Sequence, residues 1–295
     1  MHVLSRLLLT ALAAGAGGAP ARPWQKVFDG GDARSVGLIE AIGRGDWVAG
    51  GPRGLATARG GRVSIESTHG HGILGLFSDE SRGVYALGEG ELIWHFDGTR
   101  WTEEHVAPLP PRGRRPFAEH MLYGAYREPS TPARSLVATG LKLVLVKRSP
   151  PEAGWAVPPP GAQDALRDTG LRGPAITMPA RCDRAGWHWL GDSRGAFYCH
   201  DRRLFIWDAG TITPRGTMPA ACFDTLDALI DVKGTLYASC HAATLWRVEG
   251  EAWRPIVSPE QRPKEQRPPE ISSLSYADGC LFAAGGGAVW RACGE

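Results

Sequence analysis

Six cysteines, a set of histidines and two basic clusters are the residues of this 295-residue chain whose types and spacing bear on chemistry. Cys182, Cys199, Cys222, Cys240, Cys280 and Cys293 form an even set with no Cys-x-x-Cys pair, so disulfides are a better use for them than zinc. His69 and His71 stand in Thr-His-Gly-His-Gly, where two imidazoles two residues apart can serve one metal. Glycines flank both, however, and no acid or cysteine lies at a telling spacing, so neither a metal nor a cofactor is expected. Arg112, Arg114 and Arg115, and then Arg262, Lys264 and Arg267, suit an anionic partner or simply a solvated loop. Glu260, Glu265 and Glu270 dilute the second cluster. Asp79, Glu80, Asp183 and Asp192 can supply acid and base as paired carboxylates do in glycosidases, but nothing singles out a pair. GxSxG, HExxH and P-loop motifs are missing.

The elements that must position these groups are strands. Glycine (39) and proline (23) interrupt helices too often for a helical bundle. Lys+Arg (33) nearly balances Asp+Glu (31), which removes the basic excess expected of a nucleic-acid binder. Met1 to Ala21 follows the order of a secretory signal: Arg6, an apolar run from Leu7 to Ala14, then Ala19-Pro20-Ala21. That run is too short to span a bilayer, and no later segment approaches the length. The expectation is a signal peptide over 1–21 and an exported domain over 22–295, periplasmic or extracellular, without a transmembrane segment.

A repeat organises the remainder. Gly83 to Trp101 (GVYALGEGELIWHFDGTRW) parallels Gly234 to Trp253 (GTLYASCHAATLWRVEGEAW). Trp94 matches Trp246, Asp97-Gly98 matches Glu249-Gly250, and Trp101 matches Trp253. An acid-Gly pair between two apolar runs marks a hairpin. Extended along the chain, the template gives six copies of four strands, the last lacking its fourth. Residues 22–28 carry Trp24 where Trp101, Trp155 and Trp253 stand in other fourth strands. Donating this strand to the last copy closes a ring and removes an exposed edge. The expected fold is all-β: a six-bladed β-propeller of four-stranded antiparallel blades. A β-sandwich, or several small β-domains, is the rival.

On that template Cys182 and Cys222 lie in connections from a fourth strand to the next first strand (4→1), while Cys199 and Cys240 end second strands at the 2→3 side. These positions share one face of the ring and pair as Cys182–Cys199 and Cys222–Cys240. A Gly286-Gly287 turn aligns Cys280 with Cys293 at a non-hydrogen-bonded site, where side chains approach most closely. The long connections 106–118, 157–183 and 257–270 are all of the 4→1 kind, which makes this face the default binding surface. His69, His71, His120, His200 and His241 gather on it. Repeat position alone also accounts for His200 and His241, each following a cysteine. Trp94, Trp246 and Trp290 of third strands and the outer tryptophans fit packing between blades better than sugar stacking. Trp187 and Trp189, one alternation apart, fall on one side of their strand.

The unit Val-Tyr-Ala…Leu-Ile-Trp-His-Phe-Asp-Gly-Thr-Arg-Trp and its echo Leu-Tyr-Ala…Leu-Trp-Arg-Val-Glu-Gly-Glu-Ala-Trp resemble exported bacterial propeller repeats of the tectonin or sensor type. Val144 and Ile206 depart from it where tryptophan is found, and Thr213 replaces an outer tryptophan. Tectonin-like proteins are lectins, so the resemblance implies glycan binding as one outcome. The expectation is a monomeric, non-enzymatic binding propeller recognising a protein or glycan through the 4→1/2→3 face. The alternative is a hydrolase or lyase with its site at the channel mouth on that face.

Overall fold

Short apolar runs, buried on both faces in the inner strands and punctuated by glycine turns, fold this chain into six four-stranded sheets. The computed structural model describes residues 24–30, 36–78, 83–89, 92–104, 106, 109, 121–127, 135–140, 142–147, 154–191, 194–222, 225–240, 244–256 and 271–294. Residues 1–21, where a signal peptide is expected, most of 106–118, all of 257–270, His120, His241, Asp79, Glu80 and Asp192 lie outside the described residues.

Blade 1 holds β2 (Leu38–Ala41), β3 (Trp47–Gly51), β4 (Gly54–Arg59) and β5 (Arg62–Glu66). Blade 2 holds β6 (Ile73–Ser78), β7 (Val84–Gly88), β8 (Ile93–Phe96) and β9 (Trp101–Glu103). Blade 3 holds β10 (Gly124–Arg127), β11 (Leu136–Thr139), β12 (Val144–Lys147) and β13 (Trp155–Ala156). Blade 4 holds β14 (Arg184–Gly191), β15 (Arg194–Cys199), β16 (Arg203–Asp208) and β17 (Thr211–Thr217). Blade 5 holds β18 (Ala228–Val232), β19 (Thr235–Cys240), β20 (Thr244–Glu249) and β21 (Ala252–Ile256). Blade 6 holds β22 (Ser273–Ala277), β23 (Cys280–Gly285), β24 (Ala288–Cys293) and the N-terminal β1 (Gln25–Asp29), which pairs antiparallel with β24. The chain is a six-bladed β-propeller closed by its first strand.

All three expected disulfides are present: Cys182–Cys199, Cys222–Cys240 and Cys280–Cys293. Gly286 (φ 59°) and Gly287 (φ 84°) form the two-residue turn, a left-handed pair that glycine adopts without a Cβ penalty. The register then runs from Gly285 against Ala288 out to Cys280 against Cys293. The Gly294 N–H donates to the Gly279 carbonyl at 2.8 Å, so the cysteines occupy the non-hydrogen-bonded position beside it.

Tryptophans fill the seams. Trp94, Trp246 and Trp290 each pack toward the preceding blade, as do the outer Trp24, Trp101, Trp155 and Trp253. The Trp101 indole N–H donates across the seam to Thr57 Oγ1 at 2.9 Å, and that of Trp253 to the Arg215 carbonyl at 3.1 Å. Blade 4 corrects the expected alignment by one residue. Ile206 faces blade 5, while Phe205 faces the blade 3 side with buried Trp207 and, one residue earlier, takes the tryptophan position. A one-residue slip exchanges the two faces of a strand. Trp187 and Trp189 do share one side, with ring centroids 5.2 Å apart.

The connection 157–183 departs furthest from expectation. It is not an open loop: Pro160–Arg172 forms helix α1, wedged between blades 3 and 4. Proline suits its first position, where no intrahelical N–H is needed, and Gly173 (φ 75°) ends it. Leu166 packs with Tyr126, Val137, Val144 and Trp189. The Leu166 carbonyl accepts from Tyr126 Oη at 2.7 Å, and the Gly170 carbonyl accepts from Trp189 Nε1 at 3.2 Å. Gly170 is required by proximity, since a Cβ there would stand 2.7 Å from the Thr139 side chain. Prolines 158–160 also explain why β13 is two residues long instead of spanning 153–159, because proline donates nothing to a ladder.

Where blade 6 meets blade 1, serines join the innermost strands. Ser275 Oγ accepts from the Ala41 N–H at 2.9 Å, Ser273 Oγ accepts from the Ile39 N–H at 3.2 Å, and Ser272 Oγ donates to the Gly37 carbonyl at 2.6 Å. Ser275→Ala strands a buried N–H and is expected to cost about 1–2 kcal/mol in urea unfolding. An unchanged midpoint would show that this serine does not tie the ring.

Candidate functional site

Of the histidines expected on the 4→1/2→3 face, His69 and His71 are explained by backbone geometry. His69 (φ 53°) and Gly70 (φ 84°) are the central pair of a tight turn closed by the His71 N–H on the Thr68 carbonyl at 2.9 Å. His69 is exposed and His71 half-buried. His200 is exposed, with its Nε2 4.0 Å from Asp183 Oδ2. Among the described residues no three His, Cys, Asp or Glu side chains gather as a metal would require. His120, His241, Arg112, Arg114 and Arg115 lie outside the described residues.

The first strands of all six blades line a central cavity of about 440 Å³. Leu76, Phe77, Leu190, Leu229, Ile230 and Leu274 are among its lining residues, but the surface it exposes is more polar than apolar. On blades 2 to 4 the lining residues come from the ends of β6, β10 and β14, toward the 1→2 turns. The cavity therefore reaches away from the face on which the long connections were expected to build a site. Glu40 and Arg127 are its charged lining residues among those described, with Ser78 and Ser273 adding hydroxyls. Ser78 Oγ donates to Glu40 Oε1. Burial in this wall pushes the Glu40 carboxyl up to about 7, against the downward pull of the Ser78 hydrogen bond.

Two further titratable groups sit in seams. His188 of β14 lies between blades 4 and 5, where burial pulls its imidazole down to about 4 despite a hydrogen bond with the Leu226 backbone. Between blades 2 and 3, Lys147 Nζ donates to Glu104 Oε1 at 2.8 Å and to Tyr85 Oη at 2.7 Å. Burial acts to lower this lysine, but the bonds to Glu104 and Tyr85 outweigh it and hold it above the ordinary lysine value. The ammonium also lies 4.7 Å from the Tyr85 ring centre. This is a paired charge holding two blades together.

A second cavity, of about 250 Å³, lies on the 4→1/2→3 face at the seam of blades 6 and 1. Phe28, Val36, Ala49, Leu55, Ala56 and Ile65 line it, with Arg53 at its rim. Beside it runs β5, the outer edge of blade 1, where Val63 is 45% and Ile65 66% exposed. Ile65 opposes Ala56 and Val63 opposes Ala58, so both project on the groove side of the sheet. Pro214 interrupts β17 and Pro255 interrupts β21, whereas β5 carries no proline and has its charges, Arg62 and Glu66, only at its two ends.

No protein-family model and no curated protein matches the chain. Solved structures do. The structure described as YCF48 bound to D1 peptide aligns at TM-score 0.57 and 11% identity, over 94% of this chain and 98% of that one. YCF48 from Cyanidioschyzon merolae aligns at 0.54 and 9%, over 92% and 98%. The WD40 β-propeller domain of Doa1 aligns at 0.56 and 8%, over 92% and 97%. The likeness is one of fold. At such identities it carries the propeller and none of the side chains described above.

Sequence reasoning missed Glu40 and the β5 edge. Both had signals: a lone acid inside the apolar run Gly-Leu-Ile-Glu-Ala-Ile-Gly, and a fourth strand with alternating Val63 and Ile65 but no tryptophan and no proline.

Proposed function

We propose that this protein is an exported binding propeller that takes an extended segment of a partner protein along β5, with apolar side chains entering the groove between blades 6 and 1. The observation that carries this reading is the proline-free β5 edge with exposed Val63 and Ile65 beside an apolar cleft. A strand added at an edge gains main-chain hydrogen bonds, while a flanking pocket selects its side chains. Arg53, Arg59 and Arg62 stand around the site without an ion pair among the described residues, which favours an acidic partner segment. A protein is preferred to a glycan because all eleven tryptophans are buried or half-buried, which leaves no exposed indole for a sugar ring. YCF48 bound to D1 peptide offers a precedent for a peptide on this fold. The signal-like N-terminus and three disulfides support export. No helix among the described residues is long and apolar enough to cross a membrane.

Selection of displayed peptides on the purified protein tests this. Bound sequences are expected to alternate apolar residues with acidic ones. Ile65→Asp is expected to weaken them at least about tenfold, or about 1.4 kcal/mol. Selected peptides that bind wild type and Ile65→Asp equally, or a protein that binds glycans alone, would overturn the proposal.

A further inference from the structure

We propose that two copies of this chain pair edge to edge through β5, closing the blade 1 edge until a partner segment displaces the second copy. The pairing stands on its own observations; its consequence for partner binding rests on the reading of β5 given above.

The sequence of β5, Arg62-Val63-Ser64-Ile65-Glu66, is its own complement. A two-fold dimer sets the strand antiparallel to itself, so residue i meets j and j meets i. With the axis at Ser64, Arg62 of each copy opposes Glu66 of the other, and Val63 opposes Ile65. An axis at Arg62 or Glu66 sets like charges together. An axis at Val63 or Ile65 leaves each charge opposite an uncharged residue. Charge therefore selects the Ser64 register.

The backbone favours the same register. Gly60 (φ 53°) and Gly61 (φ 78°) form a two-residue turn, which makes Arg59 and Arg62 a hydrogen-bonded pair. Alternation then turns the N–H and C=O groups of Arg62, Ser64 and Glu66 toward β4, and those of Val63 and Ile65 outward. In the dimer these outward groups bond one another, two bonds for each of the two Val63–Ile65 pairs. Arg62 and Glu66 fall at non-hydrogen-bonded positions, where opposed side chains approach most closely. Ser64 Oγ donates to Glu66 Oε1 at 3.1 Å, so the carboxylate lies on the same side of the sheet as Ser64 and Arg62.

Within one copy Arg59 stands directly opposite Arg62, and neither has an ion pair among the described residues. Like charges so placed repel, and Glu66 of the second copy, next in the same row, relieves them. The edge is open: residues 62–65 are exposed, and a Cβ on Gly60 or Gly61 would meet nothing within 4 Å. One five-residue strand buries little area, so the dimer is weak, with a Kd on the order of 10 μM. The monomer expected from the sequence is then the dilute form, with its edge free for a partner.

Sedimentation equilibrium of the full chain from about 1 to 100 μM tests the pairing. Wild type is expected to pass from monomer to dimer mass over this range. Arg62→Glu and Glu66→Arg should each raise the dimer Kd at least about tenfold, because the two-fold axis places each change in two contacts. Mixing the two single variants sets every acid opposite an arginine and should restore a dimer near the wild-type Kd, which also shows that both variants fold. A selected peptide should return the wild-type dimer to monomer mass. Wild type monomeric at about 100 μM, a dimer indifferent to both substitutions, single variants that do not complement each other, or a dimer that persists with peptide bound would overturn the proposal. Peptides selected by a protein that stays monomeric would overturn the pairing and leave the proposed function standing; a dimer that selects no peptide would do the reverse.

Discussion

Replacing Trp155 by alanine is expected to cost about 4 kcal/mol of stability, measured by chemical unfolding. Trp155 is 0% exposed and sits in the seam between blades 2 and 3, edge-on to Tyr85 at 5.8 Å. Leu87, Ile93, Leu122 and Leu145 surround it in one buried cluster. Its indole N–H has no hydrogen-bond partner among the described residues, so the loss is one of packing. The surroundings cannot collapse into the space, because β12 is held by its ladder and Lys147 is fixed between Glu104 and Tyr85. The half-buried Trp101, at the corresponding position of blade 2, should tolerate alanine better. Equal costs at the two positions would show that outer tryptophans act independently of burial.

Replacing Glu40 by glutamine is expected to stabilise the protein by about 3 kcal/mol at pH 8 and to change little near pH 4.5. The carboxyl stands near 7 in the fold against an ordinary 4.5, so between these values the fold holds more protons than the unfolded chain. Stability is then lost as pH rises through this range, and the loss levels off above about 7. His188 has the opposite sign. Its value near 4 lies below the ordinary 6.5, so stability falls as pH drops from 6.5 toward 4. Between about pH 4.5 and 6.5 the two slopes oppose each other, and as far as these two groups decide it the wild-type curve is flat. Glu40→Gln removes one slope and leaves a curve that rises with pH across that window. A variant curve parallel to wild type at every pH would mean that Glu40 titrates as an ordinary surface acid.

The ring was legible because its signals are local and repeated. Trp94 and Trp246 mark third strands by position, and the Gly286-Gly287 turn sets the register that brings Cys280 to Cys293. Trp24 shows the closing strand for the same reason. What escaped notice depends on tertiary context. Helix α1 has a single well-placed apolar residue, Leu166, with Gly161, Thr169 and Gly170 weakening its helical pattern. Its seat between blades 3 and 4 pays the difference. The repeat places Ile206 where the fold places Phe205, because a one-residue slip leaves the apolar run intact while turning each side chain to the other face. Glu40 resides in a strand whose neighbours are known only once six blades surround it. The groove beside Ile65 joins β5 to Phe28, residues far apart in sequence that ring closure makes adjacent.

Hydrogen–deuterium exchange of the protein with and without a selected peptide tests the central claim most directly. Binding along the blade 1 edge predicts slowed exchange of amides in residues 62–66, with little change in the outer strands β17 and β21. Protection confined to other blades, with 62–66 exchanging as in the free protein, would contradict it.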